Sequence, residues 1–158
     1  MALIFCEGFD KYGSFPYTQG PTLTTLLNAE WTTVTLAGTS AIVSGLSVPG
    51  FAFLLTTAAT LTKTLLSNYA RLIGGLRFNV NAFGTAATQL MQFRDGVTAQ
   101  CTITMETSGI INLRSGGTAG TILAGGGSIA TNSTHYLEWD ITFGTSAAYQ
   151  LWLDGVSL

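Results

Sequence analysis

Along residues 136–143 the chain alternates strictly. Leu137, Trp139, Ile141 and Phe143 fall on one side, and Glu138, Asp140 and Thr142 on the other. A period of two puts successive side chains on opposite faces of a strand, so this segment suits a sheet with one face in a core and does not suit a helix. The pattern recurs. Leu76, Phe78, Val80 and Ala82 oppose Arg77, Asn79 and Asn81; Cys101, Ile103 and Met105 oppose Thr102, Thr104 and Glu106; Tyr149, Leu151 and Leu153 oppose Gln150 and Trp152. Between such runs stand the pairs Asp95-Gly96 and Asp154-Gly155, which suit the two positive-φ positions of a type I′ hairpin turn. The first of these joins strands expected over residues 89–94 and 97–106. Further strands are expected over residues 109–114 and, more briefly, at Thr121-Ile122-Leu123, with the glycine clusters around it read as turns. The first half is less regular, with short strands expected over 31–35, 42–44, 50–55 and 60–66 and one short helix over 21–28. No internal repeat or linker divides the 158 residues. The expectation is therefore one domain, residues 1–158, all-β, an antiparallel sandwich or barrel.

The polar faces of these strands carry little charge. Asp, Glu, Lys and Arg make up 9% of the chain, against about 25% in an ordinary soluble domain. The six basic residues are scattered singly and the net charge is −2. A nucleic-acid partner needs a basic patch to neutralise phosphates, so none is expected. Mean hydropathy is +0.41, which suits a membrane protein or a subunit packed in an assembly. The best apolar run, residues 48–66, holds Pro49, Gly50, Lys63 and five threonines. That excludes a membrane-spanning helix of about 18 or more apolar residues. The first residues lack the basic and apolar stretches of a secretory signal. Packing against copies of itself or other proteins is the remaining expectation. Cys6 and Cys101 read as two reduced, buried thiols, with a disulfide left open.

Few residues offer chemistry. His135, the one histidine, has no nucleophile motif beside it and reads as a turn residue at the head of a strand. A zinc site would need three or four ligands from His, Cys or acids, which this composition does not supply. Calcium takes six to eight oxygens, and loop carboxylates at Asp10, Asp95 and Asp154 are weak candidates; no other metal or cofactor is expected. Gly116-Gly117 and Gly125-Gly126-Gly127 lack the Lys of a phosphate loop. Asn132-Ser133-Thr134 matches a glycosylation acceptor but reads as a turn. Trp31, Trp139 and Trp152, with Tyr149 among the tyrosines, could stack on sugar rings. Trp139 shares its face with Leu137 and Ile141 and belongs to the core. Trp152 lies opposite Leu151 and Leu153 and is the best candidate for an interface or ligand anchor. Trp152, Tyr149, Glu138 and Asp140 form the candidate ligand or interface set.

Three segments carry a resemblance. Gly109-Ile110-Ile111-Asn112-Leu113-Arg114 leads through glycine-rich sequence to Tyr136-Leu137-Glu138-Trp139-Asp140-Ile141, then to Tyr149-Gln150-Leu151-Trp152-Leu153-Asp154-Gly155. This order is similar to the laminin-G-like branch of the concanavalin A-like lectin/glucanase superfamily. Cys6-Glu7-Gly8-Phe9-Asp10-Lys11-Tyr12-Gly13 resembles the opening E-x-F-D-x-Y of such domains in structural proteins of tailed bacteriophages. The resemblance implies a jelly-roll of two antiparallel sheets. It also implies that this chain lacks the family's last strands. Asp154-Gly155 signals a hairpin three residues before Leu158, so the sandwich is expected to be incomplete at its C-terminal edge. Its closing strands would follow in a longer chain or come from another subunit, the first being preferred. Some glucanases of the superfamily carry E-x-D-x-x-E on one strand. Glu138 and Asp140 match the first two acids, but Phe143 stands at the third. The resemblance thus implies a non-enzymatic structural protein of a tailed-phage virion, in a head decoration, tail or fibre. It would pack symmetrically against itself and other virion proteins. A carbohydrate-binding adhesin on host-surface glycans is the alternative, and a degenerate glycoside hydrolase the third.

Overall fold

The computed structural model describes residues 17–18, 21–29, 31–36, 41–44, 51–54 and 60–158. Cys6, Asp10 and the E-x-F-D-x-Y opening lie outside the described residues. The chain falls into two compact units, Met1–Ser67 and Asn68–Leu158.

The first unit holds β1 (Tyr17–Thr18), α1 (Pro21–Asn28), β2 (Thr33–Thr35), β3 (Ala41–Ser44), β4 (Phe51–Leu54) and β5 (Thr60–Thr62). Pro21 opens the helix, where its fixed φ fits and its missing N–H is no loss. Leu23 and Leu27, one turn apart, are both fully buried. One small antiparallel sheet runs β1-β3-β4, and β2 pairs with β5. The helix matches the expected span, and β2 to β5 fall within or one residue beyond the expected segments, while β1 lies in none of them.

The second unit is an antiparallel β-sandwich. Its strands are β6 (Arg71–Asn79), β7 (Thr88–Asp95), β8 (Thr98–Met105), β9 (Ile110–Ser115), β10 (Ile122–Ser128), β11 (Thr134–Thr142), β12 (Ala148–Leu153) and β13 (Val156–Ser157). One four-stranded sheet runs β10-β9-β8-β7 and the other β13-β12-β11-β6. The first is a meander of successive hairpins. The second closes on a long-range pair, β6 with β11, in register from Arg71↔Thr142 to Asn79↔Thr134. The core lies between the sheets. Cys101, Ile103, Met105, Ile111 and Leu113 come from one side, and Leu137, Trp139, Ile141, Leu151 and Leu153 from the other. Phe93 of β7 meets Trp139 of β11 edge-on, with ring centroids 5.9 Å apart. Each of the inward residues sits on the face that its alternation assigned. Burying a set of this size, at roughly 1.5–3 kcal/mol per large apolar side chain, supplies the main driving force for the unit.

Four local expectations change. The β7–β8 hairpin turns on Gly96-Val97, not Asp95-Gly96, because Asp95 is already paired with Thr98. Gly96 has φ +56° and Val97 is not in the left-handed region, the pattern of a type II′ turn with Gly first. A bulge at Gln100 follows it, between the pairs Phe93↔Cys101 and Arg94↔Ala99. Second, Gly125-Gly126-Gly127 is not a turn but the body of β10, paired with β9 through two bulges. The bulged backbone takes φ +144° at Gly125 and +105° at Gly126, and so requires glycine. Third, Asp154-Gly155 does lead into a partner strand: β13 pairs with β12 through Leu153↔Val156 and Trp152↔Ser157. Both turn residues have positive φ, 52° and 80°, as type I′ requires. Fourth, β6 begins at Arg71 and ends at Asn79, which leaves Ala82 outside it.

Candidate functional site

The outward residues of the β6–β11–β12–β13 sheet form rows set by register. One row runs Gly75, Glu138, Trp152, Ser157; the next runs Ile73, Asp140, Gln150. Tyr136 lies on the other side of the first row, opposite Arg77. Directly opposed side chains on neighbouring strands have Cβ atoms about 4.5–5.5 Å apart, so each row is a line of contacts. Glycine at position 75 opens this surface. A methyl there would come within 2.5 Å of the Tyr136 hydroxyl, so the tyrosine ring lies across the gap toward the Glu138 row. Tyr136 and Ile73 are each 46% exposed, while Trp152 is half-buried. Ile73, Glu138, Asp140, Trp152 and Gly155 line a shallow depression of about 260 Å³.

The two acids of this face are not equivalent. Asp140 is held by Arg71, whose Nε donates to Oδ1 at 2.7 Å and whose Nη2 donates to Oδ2. Hydrogen bonding by this guanidinium, aided by its charge, holds the Asp140 carboxyl below its ordinary range and raises Arg71 in return. Glu138 carries no hydrogen bond or ion pair among the described residues. Gln150 donates from Nε2 to Ser157 Oγ at 2.7 Å and to Leu151 O at 3.2 Å. The position three beyond Asp140 is Phe143, which packs on the core with its ring 6.2 Å from Phe93. Among the described residues the face therefore presents one unpaired carboxylate and one neutralised carboxylate, with no third acid beside them.

The remaining candidates lie elsewhere. Tyr149 pairs with Ile141 and packs on the core from the inner face, so it does not join Trp152. Asp154 is engaged at the β12–β13 turn. Its Oδ1 accepts from the Tyr136 N–H at 2.8 Å, and its Oδ2 lies 2.8 Å from His135 Nδ1. These bonds, His135's first, lower the Asp154 carboxyl. Asp95 lies in the β7–β8 hairpin. Among the described residues no group of three or more His, Cys, Asp or Glu is placed to hold a metal ion. His135 is not a surface residue: its side chain is 11% exposed. With the proton on Nδ1, it donates to Asp154 while Nε2 accepts from the Ala130 N–H at 3.2 Å. It thereby ties the start of β11 to the last turn. No sequence signal marks this pair, since 19 residues separate its members.

Cys101 is a buried free thiol, pushed up to about 11 by burial. That makes it a packing residue, not a nucleophile. A polar cluster that composition did not reveal lies on the outer side of the other sheet. Thr102 and Thr104 are fully buried there and Asn112 nearly so. Glu106 Oε1 accepts from Arg114 Nη2 at 2.8 Å, Asn112 Nδ2 at 3.2 Å and Thr104 Oγ1 at 3.2 Å. Hydrogen bonds from Arg114, then Asn112, hold the Glu106 carboxyl below its usual range. Thr102 Oγ1 donates to Gly116 O at 2.6 Å and accepts from Gln92 Nε2 at 3.1 Å. Every member has partners, so the cluster braces the sheet and leaves little for a ligand to satisfy.

No protein-family model, curated protein or solved structure matches this chain. The class is thus defined by geometry alone: an all-β chain whose second unit is a two-sheet antiparallel sandwich with an aromatic depression on one outer face. Among the described residues no helix is long and apolar enough to cross a membrane.

Proposed function

We propose that this chain is a non-enzymatic structural protein of a tailed-phage virion, a sandwich of the concanavalin A-like kind. It would pack against copies of itself and other virion proteins through the outer face of the β6–β11–β12–β13 sheet. The observation that carries the docking role is Trp152, half-buried on an outward face and continuous with Tyr136 and Ile73, both well exposed. An exposed Tyr and an exposed Ile around a half-buried Trp have the composition of an interface centre. The non-enzymatic part rests on Asp140 being neutralised by Arg71 and on Phe143 standing where a third acid would be needed. The virion setting rests on low charge and on the resemblance in sequence.

Sedimentation velocity of the wild-type chain and of Trp152→Ala tests the docking role. The wild type is expected to self-associate, and the variant to dissociate at concentrations at least tenfold higher while keeping its fold by circular dichroism. A wild type that stays monomeric, or association indifferent to Trp152, removes this docking face. A second reading, a glycan-binding adhesin, draws on the same Trp and Tyr as stacking surfaces. Saturable, Trp152-dependent binding to a glycan array by a monomeric protein would favour it.

A further inference from the structure

We propose that Glu138, set between Trp152 and Tyr136, is a receptor for an arginine side chain of a partner protein. This rests on the reading of the outer face as a docking surface and names the partner's chemistry. Trp152 stands directly opposite Glu138 on β12. Tyr136 precedes Glu138 by two residues on the same face, its hydroxyl over Gly75, the residue opposite Glu138 on β6. The carboxylate is therefore flanked by two aromatic rings along a line that glycine keeps open. It borders the depression that Trp152 and Ile73 also line.

Charge decides among occupants. Asp140 is committed to Arg71, and Gln150 to Ser157 and the Leu151 carbonyl; Arg77, opposite Tyr136, also has a partner. The one charge of this face without a partner among the described residues is the Glu138 carboxylate, beside two π faces. A sugar needs several convergent donors and acceptors, and among the described residues the face adds to this carboxylate only the Tyr136 hydroxyl and the Trp152 indole N–H. A guanidinium fits the remainder, since it can stack flat on an indole and give two parallel N–H bonds to one carboxylate. Cations are also attracted to the faces of Trp and Tyr within about 6 Å. The chain's net charge of −2 adds a weak attraction of the same sign.

The test uses the intact chain and a pair of small probes. Nα-acetyl-arginine amide and its neutral isostere Nα-acetyl-citrulline amide are titrated against isotope-labelled protein, following the Trp152 indole N–H and the backbone N–H of Glu138. An isolated side chain binds weakly, on the order of millimolar or above. The arginine probe is expected to shift both signals, with the citrulline probe about threefold or more weaker. Glu138→Gln, which keeps size and shape, is expected to abolish that difference. Equal response to the two probes, a preference that survives in Glu138→Gln, or no response to arginine overturns the proposal. So does a neutral trisaccharide that shifts the same signals at lower concentration than arginine. Trp152-dependent self-association that persists when the arginine preference is absent removes only the guanidinium receptor. An arginine preference without self-association removes only the assembly reading.

Discussion

The two outer faces of the sandwich are built from the same alternation and treat their polar residues in opposite ways. On the β7–β10 sheet, Thr102, Thr104 and Asn112 are buried, and Glu106 collects donors from three neighbours. On the β6–β13 sheet, Tyr136 and Ile73 are open to solvent and Glu138 has no partner among the described residues. A buried polar group without a partner costs about 1–3 kcal/mol, so a closed polar face must be complete to be tolerated. An open face has no such requirement and can hold a group in reserve. The contrast separates structure from recognition: where hydrogen bonds close on themselves the residues hold the fold, and where they stop short the residues are available to a partner.

Substitutions should therefore move stability on the closed face and binding on the open one. The largest expected loss is at Gly125, beneath the closed network. A Cβ there would lie 2.5 Å from Asn112 Oδ1 and 2.6 Å from the Ile111 carbonyl, on a backbone at φ +144°. Strain of about 1–3 kcal/mol and a comparable overpacking cost put Gly125→Val at about 3 kcal/mol or more in urea denaturation. Next comes Glu106→Ala, which strips acceptors from Asn112 and Thr104 and should cost about 1–3 kcal/mol. Its pH dependence has a definite sign. The folded Glu106 carboxyl is held below its unfolded value, so its contribution is full above about pH 4.3 and fades as pH falls through the folded value. The gap in stability between wild type and Glu106→Ala should narrow on acidification below about pH 4. A constant gap would show that the network acts by shape and not by charge. Neither substitution should alter the arginine response at Glu138.

Most of the sandwich was legible because alternation is a local signal with a strong physical cause. Leu137, Trp139, Ile141, Leu151 and Leu153 all lie where a two-residue period puts them. Errors arose where the ladder departs from regularity. The first hairpin turns one residue beyond Asp95-Gly96, beside a bulge at Gln100, and two bulges let a triple glycine serve as a strand. Bulges are set by pairing with a partner strand, which no single segment announces. The candidate site was legible in part. Trp152, Glu138 and Asp140 were assigned outward by alternation. Tyr149 shares the alternation of Leu151 and Leu153 and so was already on the inner face, but the row that places Trp152 against Glu138 and the capture of Asp140 by Arg71 depend on register between strands distant in sequence. The His135–Asp154 tie was hidden for the same reason.

Two adjacent glycines give the finest test of the contrast, because they point to opposite faces of one strand. Gly74 faces inward, where a methyl would lie 2.6 Å from Cζ2 of the buried Trp139. That ring is packed against Phe93 and has nowhere to go, so Gly74→Ala should cost about 1–3 kcal/mol. Gly75 faces outward, and the obstacle 2.5 Å from its methyl is the hydroxyl of Tyr136, the far end of a side chain 46% exposed. Tyr136 can swing aside, so Gly75→Ala should change stability by no more than about 0.5 kcal/mol. It should nonetheless move the ring away from Glu138 and reduce the arginine response, since one of the two π faces is lost while the carboxylate and Trp152 remain. Denaturation and the arginine titration on the same pair of variants read the two effects separately. If Gly75→Ala proves as costly to fold as Gly74→Ala, Tyr136 is a structural strut, and the outer face is less open than its exposure suggests.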